Sequence, residues 1–306
     1  MFATSVLARM QQAITVGLLT LACLWLAWRW DASPWQAMAG FAVIILGYSA
    51  LLGLEFVALH FVGRSDPAPR PSWHDLVRAW WGETLDGPRV FCWRQPFRWR
   101  SVPDHLDASS RGRRGIVFIH GFVCNRGFWT PWLAQMRAEG RPFAAVNLEP
   151  VFGSIDEYVP TVEDAVQRVT QATGMAPMLV CHSMGGLAAR AWLCARSGSG
   201  RVHRVVTIGT PHQGTWLGQF SRLSNGRQMR LQSEWLRCLY AVHPHDVPFT
   251  CWYSNCDNVV FPPSTATLPG ADNRLVRGMA HVHLAFQPEV IRGTLALLDE
   301  PSQTQP

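Results

Sequence analysis

Ser183 closes the short apolar run Leu179-Val180-Cys181-His182, and Met184-Gly185-Gly186 after it leads into helix-forming sequence. A serine hydroxyl is a weak nucleophile until a sharp strand-to-helix turn lifts it clear of the backbone and a base can take its proton. Such a turn requires small residues two places before and two places after the serine. Gly185 meets this requirement, and Cys181 is small but bulkier than glycine. A second apolar run, Ile116-Val117-Phe118-Ile119, ends in His120-Gly121-Phe122, a turn able to bring a backbone N–H close to a reacting carbonyl. The Phe122 and Met184 amides form the natural pair of oxyanion donors. Losing one such donor costs about 2.7–4 kcal/mol in a barrier.

A base and its orienting acid are expected after Ser183, the acid first. Phe249-Thr250-Cys251-Trp252-Tyr253 reads as a buried strand, and Asp257 stands in the loop leaving its end. Asp257 is the best-placed carboxylate to fix an imidazole tautomer and stabilise the cation formed on proton transfer. Asp246, before the strand, and Asp272, further down the loop, are its competitors. Gly278-Met279-Ala280-His281-Val282-His283 offers two imidazoles. His281 is favoured because it follows a small-residue turn and precedes an apolar patch, which leaves His283 to support or line the pocket. The His-x-His pair, with His243 or His245, also raises a metal reading. No carboxylate or thiolate stands at a recognised ligand spacing from them, so no metal is expected.

Taken in order, His120-Gly121-Phe122, Ser183 with Gly185-Gly186, Ile208-Gly209-Thr210-Pro211-His212-Gln213-Gly214-Thr215, Asp257 with Val259-Val260, and Gly278-Met279-Ala280-His281 resemble the α/β-hydrolase superfamily. The resemblance covers roughly residues 114–298 and is nearest to bacterial triacylglycerol lipases and related carboxylesterases. It implies Ser183 as nucleophile, His281 as general base, Asp257 as its orienter, Phe122 and Met184 as oxyanion donors, and no cofactor.

The elements that must position these residues follow from the hydrophobic pattern. Residues 115–120, 142–147, 177–182, 202–208 and 248–253 are strand-length apolar runs, and 128–138, 160–172, 184–196 and 287–299 carry helical patterns between them. Such alternation predicts a mainly parallel sheet covered on both faces, with ligands beyond the carboxyl ends of its strands. The segment from Trp216 to Val242 lies where a helical cap is expected, and its large apolar residues suit either an acyl chain or the core. Residues 89–100 alternate enough to predict a β-hairpin leading into the sheet.

Ahead of this domain, Ala13–Trp28 and Ala37–Leu54 are apolar runs that approach the roughly 20 residues needed to cross a bilayer. Trp25, Trp28, Trp30 and Trp35 cluster around the turn between them, as interfacial aromatics do. A helical membrane hairpin is the expectation; a cleaved signal peptide fits less well, because no small-x-small site follows the first run directly. Arg9 precedes the hairpin and Arg64, Arg70 and Arg78 follow it, against Arg29 alone between the runs. That bias places both ends, and the catalytic domain, on the cytoplasmic side, with the inner membrane of a bacterium as the expected location. The proline-containing linker Ser65–Pro71 leads to Trp73–Leu85, a helix expected to lie on the membrane surface or to pack on the catalytic domain. The predicted organisation is a two-helix anchor over 1–63, a linker and interfacial helix over 64–87, and an α/β-hydrolase domain over 88–300.

All 27 basic residues are arginine and the net charge is +6. Those arginines are scattered without a nucleic-acid-binding motif, so attraction to anionic lipid headgroups is the better reading. Eight cysteines without regular spacing do not make a disulfide framework. Cys238, Cys251 and Cys256 are the ones that could pair if the domain faced an oxidising compartment. The expected activity is hydrolysis of carboxylic esters, of lipid or other hydrophobic acyl substrates, through an acyl-serine intermediate. A thioesterase, amidase or acyltransferase would use the same residues, and a membrane-anchored binding protein with a degenerate site is the non-catalytic alternative.

Overall fold

The apolar runs become strands because each is buried on both faces. The computed structural model describes residues 5–196, 200–241 and 247–300. Six parallel strands, β1 (Ile116–Ile119), β2 (Phe143–Ala145), β3 (Met178–His182), β4 (Arg204–Ile208), β5 (Phe249–Tyr253) and β6 (Asp272–Leu275), pair in the order β2-β1-β3-β4-β5-β6. Alternate side chains point to opposite faces. Val117, Ile119, Leu179 and Cys181 join one core, whereas Ile116, Phe118, Met178 and Val180 join the other.

Helices numbered along the chain cover these faces. Preceding the sheet are α1 (Val6–Trp30), α2 (Pro34–Val62), α3 (Trp73–Pro88) and α4 (Gln95–Phe97). Within and after it are α5 (Thr130–Ala138), α6 (Val159–Thr173), α7 (Met184–Ala195), α8 (Ser224–Gln228), α9 (Glu234–Ala241), α10 (His281–Leu284) and α11 (Pro288–Leu298). One core holds Val162, Val166 and Val169 of α6, Leu187 and Ala188 of α7, and Leu236 and Leu239 of α9. The opposite core holds Trp132, Leu133 and Met136 of α5 with Val290, Leu295 and Leu298 of α11. The segment between β4 and β5 therefore divides: Leu236 and Leu239 are core, while Phe220 and Leu223 stay exposed.

Two elements differ from the sequence expectation. Residues 89–100 form no β-hairpin; α3 runs into a π-helical turn, Arg89–Arg94, and then α4. Val90 is buried in one core of the α/β domain and Phe91 packs against that same core. Asp272, expected in a loop, instead begins β6, an edge strand held by its ladder to β5.

The N-terminal helices form an antiparallel hairpin, and both are long and apolar enough to cross a bilayer. Ser33 caps α2, with Pro34 in its first turn, so the chain reverses sharply at 31–33. Gly40 allows the Trp25 indole to lie directly on α2, because a Cβ there would sit 1.9 Å from its Nε1. Leu18, Leu21 and Leu24 of α1 and Met38, Val43, Leu46 and Leu51 of α2 are exposed. The far ends of the hairpin meet the α/β domain: Phe56 and Leu59 of α2 pack with Leu76 and Ala79 of α3 against Cys256, Phe261 and Ala280. Trp80 of α3 donates to the Ser49 carbonyl at 2.8 Å. The 73–85 helix packs on the α/β domain through the buried Leu76 and Ala79, while Trp73, Val77, Trp81 and Leu85 form an exposed stripe at four-residue spacing.

Candidate active site

Ser183 stands between β3 and α7 with φ +54° and ψ −130°, a conformation that costs a side-chain-bearing residue about 1–3 kcal/mol. Its amide donates to the Ile208 carbonyl at 2.9 Å, and its carbonyl accepts from Thr210 Oγ1 at 2.8 Å, so neighbouring β4 pins the strained turn. Gly185 is obligatory: a Cβ there would lie 2.4 Å from the Ile119 carbonyl oxygen and 2.6 Å from that of His120. Cys181, two residues before the serine, is fully buried in the core, where its side chain is accommodated within β3.

The turn after β1 lies against the serine. A Cβ on Gly121 would meet Ser183 Cβ at 2.7 Å, so glycine brings the peptide leading to Phe122 alongside the hydroxyl-bearing carbon. His120 fixes this turn as a neutral ring. Burial pushes its pKa down to about 4, Nδ1 donates to the Gly121 carbonyl at 2.9 Å, and Nε2 accepts from Leu148 N at 3.0 Å. Met184 is the first residue of α7, where N–H groups lack intrahelical acceptors and the helix dipole favours negative charge.

Asp257 and His281 come together in the loops after β5 and β6. The Asp257 carboxylate is buried, and its Oδ1 accepts from Val259 N at 2.9 Å and Val260 N at 2.7 Å. Its Oδ2 accepts from His281 Nδ1 at 2.8 Å. With the proton on Nδ1, Nε2 of the neutral ring is left as the acceptor. The two side chains flank Gly209, just after the Ile208 carbonyl that binds the Ser183 amide; a Cβ on Gly209 would lie 3.0 Å from Asp257 Oδ2 and 3.2 Å from the His281 ring. Next to the serine, His182 packs against His281 with ring centroids 4.6 Å apart and donates from Nε2 to the His281 carbonyl at 3.2 Å. Burial disfavours charge on His281, yet the adjacent Asp257 carboxylate, reinforced by Glu83 and Glu55, holds its pKa above the ordinary value.

The other sequence candidates lie elsewhere. His283 turns away to Asp86 Oδ2 at 2.6 Å. Asp272 is exposed and pairs with Arg274. Asp246, His243 and His245 lie outside the described residues. Among the described residues no cluster of potential metal ligands is present, and Cys238, Cys251 and Cys256 form no disulfide.

Sequence reasoning missed a polar frame around His281. Asn258 Oδ1 accepts from the His281 amide at 3.1 Å, and Ser254 Oγ and Asn255 Oδ1 accept from the Met279 and Gly278 amides. Glu83 of α3 accepts from the Val282 and His283 amides, and Glu55 of α2 accepts from Asn258 Nδ2. The run Ser254-Asn255-Cys256-Asp257-Asn258 hinted at the first group through its density of polar side chains. Glu55 stood out only as an ionisable residue near the end of the second apolar run, and nothing local marked Glu83.

A parallel sheet wrapped on both faces, a strained serine between a central strand and a helix, and an Asp–His pair from later strand ends together decide the fold. The chain has an α/β-hydrolase fold. Residues 154–240, spanning α6 to α9 and including Ser183, match the family model described as PGAP1-like alpha/beta domain. The hydrolase fold is similar to that of the mature lipase BlEst2 of Bacillus licheniformis, with TM-score 0.55 and 18% identity over 61% of this chain and 92% of that one. The propeptide form of BlEst2 aligns with TM-score 0.51 and 19% identity, over 64% of this chain and 52% of that one. No curated protein matches the sequence.

Proposed function

We propose that this α/β-hydrolase-fold protein is a membrane-anchored serine hydrolase that cleaves carboxylic esters of hydrophobic acyl groups. The observation that carries the reading is the buried 2.8 Å hydrogen bond from His281 Nδ1 to Asp257, formed beside a serine held at φ +54°. In the proposed cycle His281 Nε2 takes the Ser183 proton as Oγ attacks the ester carbonyl, and Asp257 stabilises the imidazolium. The Phe122 and Met184 amides receive the oxyanion. Collapse transfers the His281 proton to the leaving alcohol and leaves acyl-Ser183, which water, deprotonated by the same imidazole, hydrolyses.

The preference for hydrophobic acyl groups draws on the N-terminal half. In this reading α1 and α2 span the membrane, and the exposed stripe Trp73, Val77, Trp81 and Leu85 lies at the lipid–water boundary. An apolar groove of about 570 Å³ between α1, α2 and the end of α3 is lined by Leu18, Leu19, Ile44, Leu52 and Phe91, with Glu83 at its wall. Esters dissolved in the bilayer would thus reach the α/β domain from its membrane side, with that domain in the cytoplasm of a bacterium.

The test is a chain-length series of p-nitrophenyl esters on the full chain in detergent micelles, with fluorophosphonate labelling of Ser183. Hydrolysis that strengthens with acyl length and is abolished in Ser183→Ala is expected. A folded wild type whose Ser183 resists labelling would remove the basis of the proposal.

A further inference from the structure

The four-residue helix α10 starts at His281 and is too short to organise itself, because none of its first N–H groups has an intrahelical acceptor. Its acceptors come largely from outside the α/β domain. Both oxygens of Glu83, a fully buried residue of α3, receive the Val282 amide at 3.1 Å, and Oε2 also receives that of His283 at 3.0 Å. Glu55 of α2 accepts from Asn258 Nδ2 at 2.6 Å, and the same Asn258 accepts the His281 amide. Asp86 of α3 holds the His283 ring. Across the site, Gln11 of α1 donates to the Val123 carbonyl at 3.4 Å, in the turn carrying Phe122, and Asn125 in that turn donates to Ser5 Oγ at 3.5 Å.

Burying Glu83 is unfavourable, and removal from water pushes its pKa up to about 7. Its amide partners are the backbone of the very helix that begins with the proposed base. An anchor joined through a flexible tether would have no need of a buried carboxylate at this position.

We propose that Glu83, assisted by Glu55, is a positioning residue for His281, so that the hydrolytic site is complete only when the N-terminal hairpin and α3 are docked on the α/β domain. This rests on the reading of Ser183, His281 and Asp257 as a triad. The N-terminal segment then serves both as anchor and as part of the active-site frame, and detachment of α3 releases the loop that carries the base.

The experiment uses the full chain in one detergent, with a short, water-soluble p-nitrophenyl ester so that substrate delivery does not limit the rate. Active sites are counted by fluorophosphonate. Folding is followed by near-UV circular dichroism. For Glu83→Ala, kcat per labelled serine is expected to fall about 100-fold with KM within about threefold, the scale of a small misplacement of a catalytic group. Glu83→Gln, which retains one acceptor oxygen, should fall in between. The charges facing His281 are Asp257, Glu83 and Glu55, with His182 packed at a tilt against its ring and held neutral. Glu83 ionises as pH rises through about 7 and there favours charge on His281, so removing it should move the acid limb of the pH–rate profile to lower pH, which loss of a merely structural contact would not do.

A folded Glu83→Ala variant with unchanged kcat and acid limb overturns the proposal while leaving the triad reading intact. Absence of labelling and turnover in folded wild type defeats the triad reading itself. Should Glu83→Ala fail to fold, Glu55→Gln and Glu55→Leu decide. Glutamine can still accept from Asn258 and should retain activity within about threefold, whereas leucine should lose at least about tenfold. Equal activity of the two would overturn the proposal.

Discussion

Asparagine in place of Asp257 changes one atom, and the structure dictates how the site must respond. The wild-type carboxylate accepts two backbone N–H groups on Oδ1 and the His281 Nδ1 proton on Oδ2. An asparagine has a single acceptor oxygen. With that oxygen toward Val259 and Val260, its NH2 faces His281 and forces Nδ1 to accept, which moves the ring proton to Nε2. With the amide flipped, His281 keeps its tautomer, but two amide donors lose their acceptor in a buried loop. A stranded buried donor costs about 1–3 kcal/mol. The flipped state thus loses about 2 kcal/mol or more, and the wrong tautomer dominates by about 30-fold or more. That tautomer cannot take the Ser183 proton, so its population alone should lower kcat by about 30-fold or more, and loss of the carboxylate charge beside the imidazolium lowers it further, toward the roughly 10⁴ of the same change in a serine protease triad. The assay is p-nitrophenyl ester turnover per folded site, with thermal stability measured in parallel. Residual activity within tenfold of wild type in a stably folded Asp257→Asn protein would refute this account of the acid's role.

Other substitutions probe separate links. His281→Ala should abolish turnover, whereas His283→Ala, which removes only the ring bonded to Asp86, should retain at least about a tenth of it; the reverse order would exchange their roles. Because Asp257 and two glutamates raise the His281 pKa and the base must be neutral, kcat/KM should rise with pH through a midpoint above 6.5, with activity lost below it; a midpoint at or under 6.5 would contradict the electrostatics. Gly185→Ala places a methyl against two backbone oxygens and should lower the thermal midpoint by the equivalent of about 2–3 kcal/mol or prevent folding; normal stability would show that the turn can relax. Glu83 has a folded pKa raised from 4.5 to about 7, so the folded state holds its proton over that interval and wild-type stability should decline as pH rises through it. A Glu83→Gln chain, compared by denaturation at pH 5 and pH 8, should lack that part of the slope.

The strand and helix pattern was legible because each core strand carries its own signal: β-branched and apolar residues in runs bounded by turn residues, with helical spacing between them. Ser183 was legible for a similar reason, since the steric demands of its turn fall on adjacent positions such as Gly185. Asp257 and His281 could be narrowed to a loop each, but choosing between His281 and His283 needed the third dimension, where one ring meets Asp257 and the other Asp86. β6 escaped notice because Asp272-Asn273-Arg274-Leu275 has no apolar period, and only the ladder to β5 makes it a strand. Residues 89–100 misled because local alternation was overridden by the continuation of α3 and the burial of Val90.

Local sequence, then, determined what depends on neighbours along the chain: the periodicity of the elements, the strained serine bend, the length and apolar character of the two N-terminal helices. Tertiary structure alone decided what depends on residues far apart, above all the 199-residue span between Glu83 and Val282. A hydrogen bond between a buried carboxylate and an amide leaves no trace in the sequence around either partner, because its energy is set by desolvation and geometry that exist only once the chain has closed.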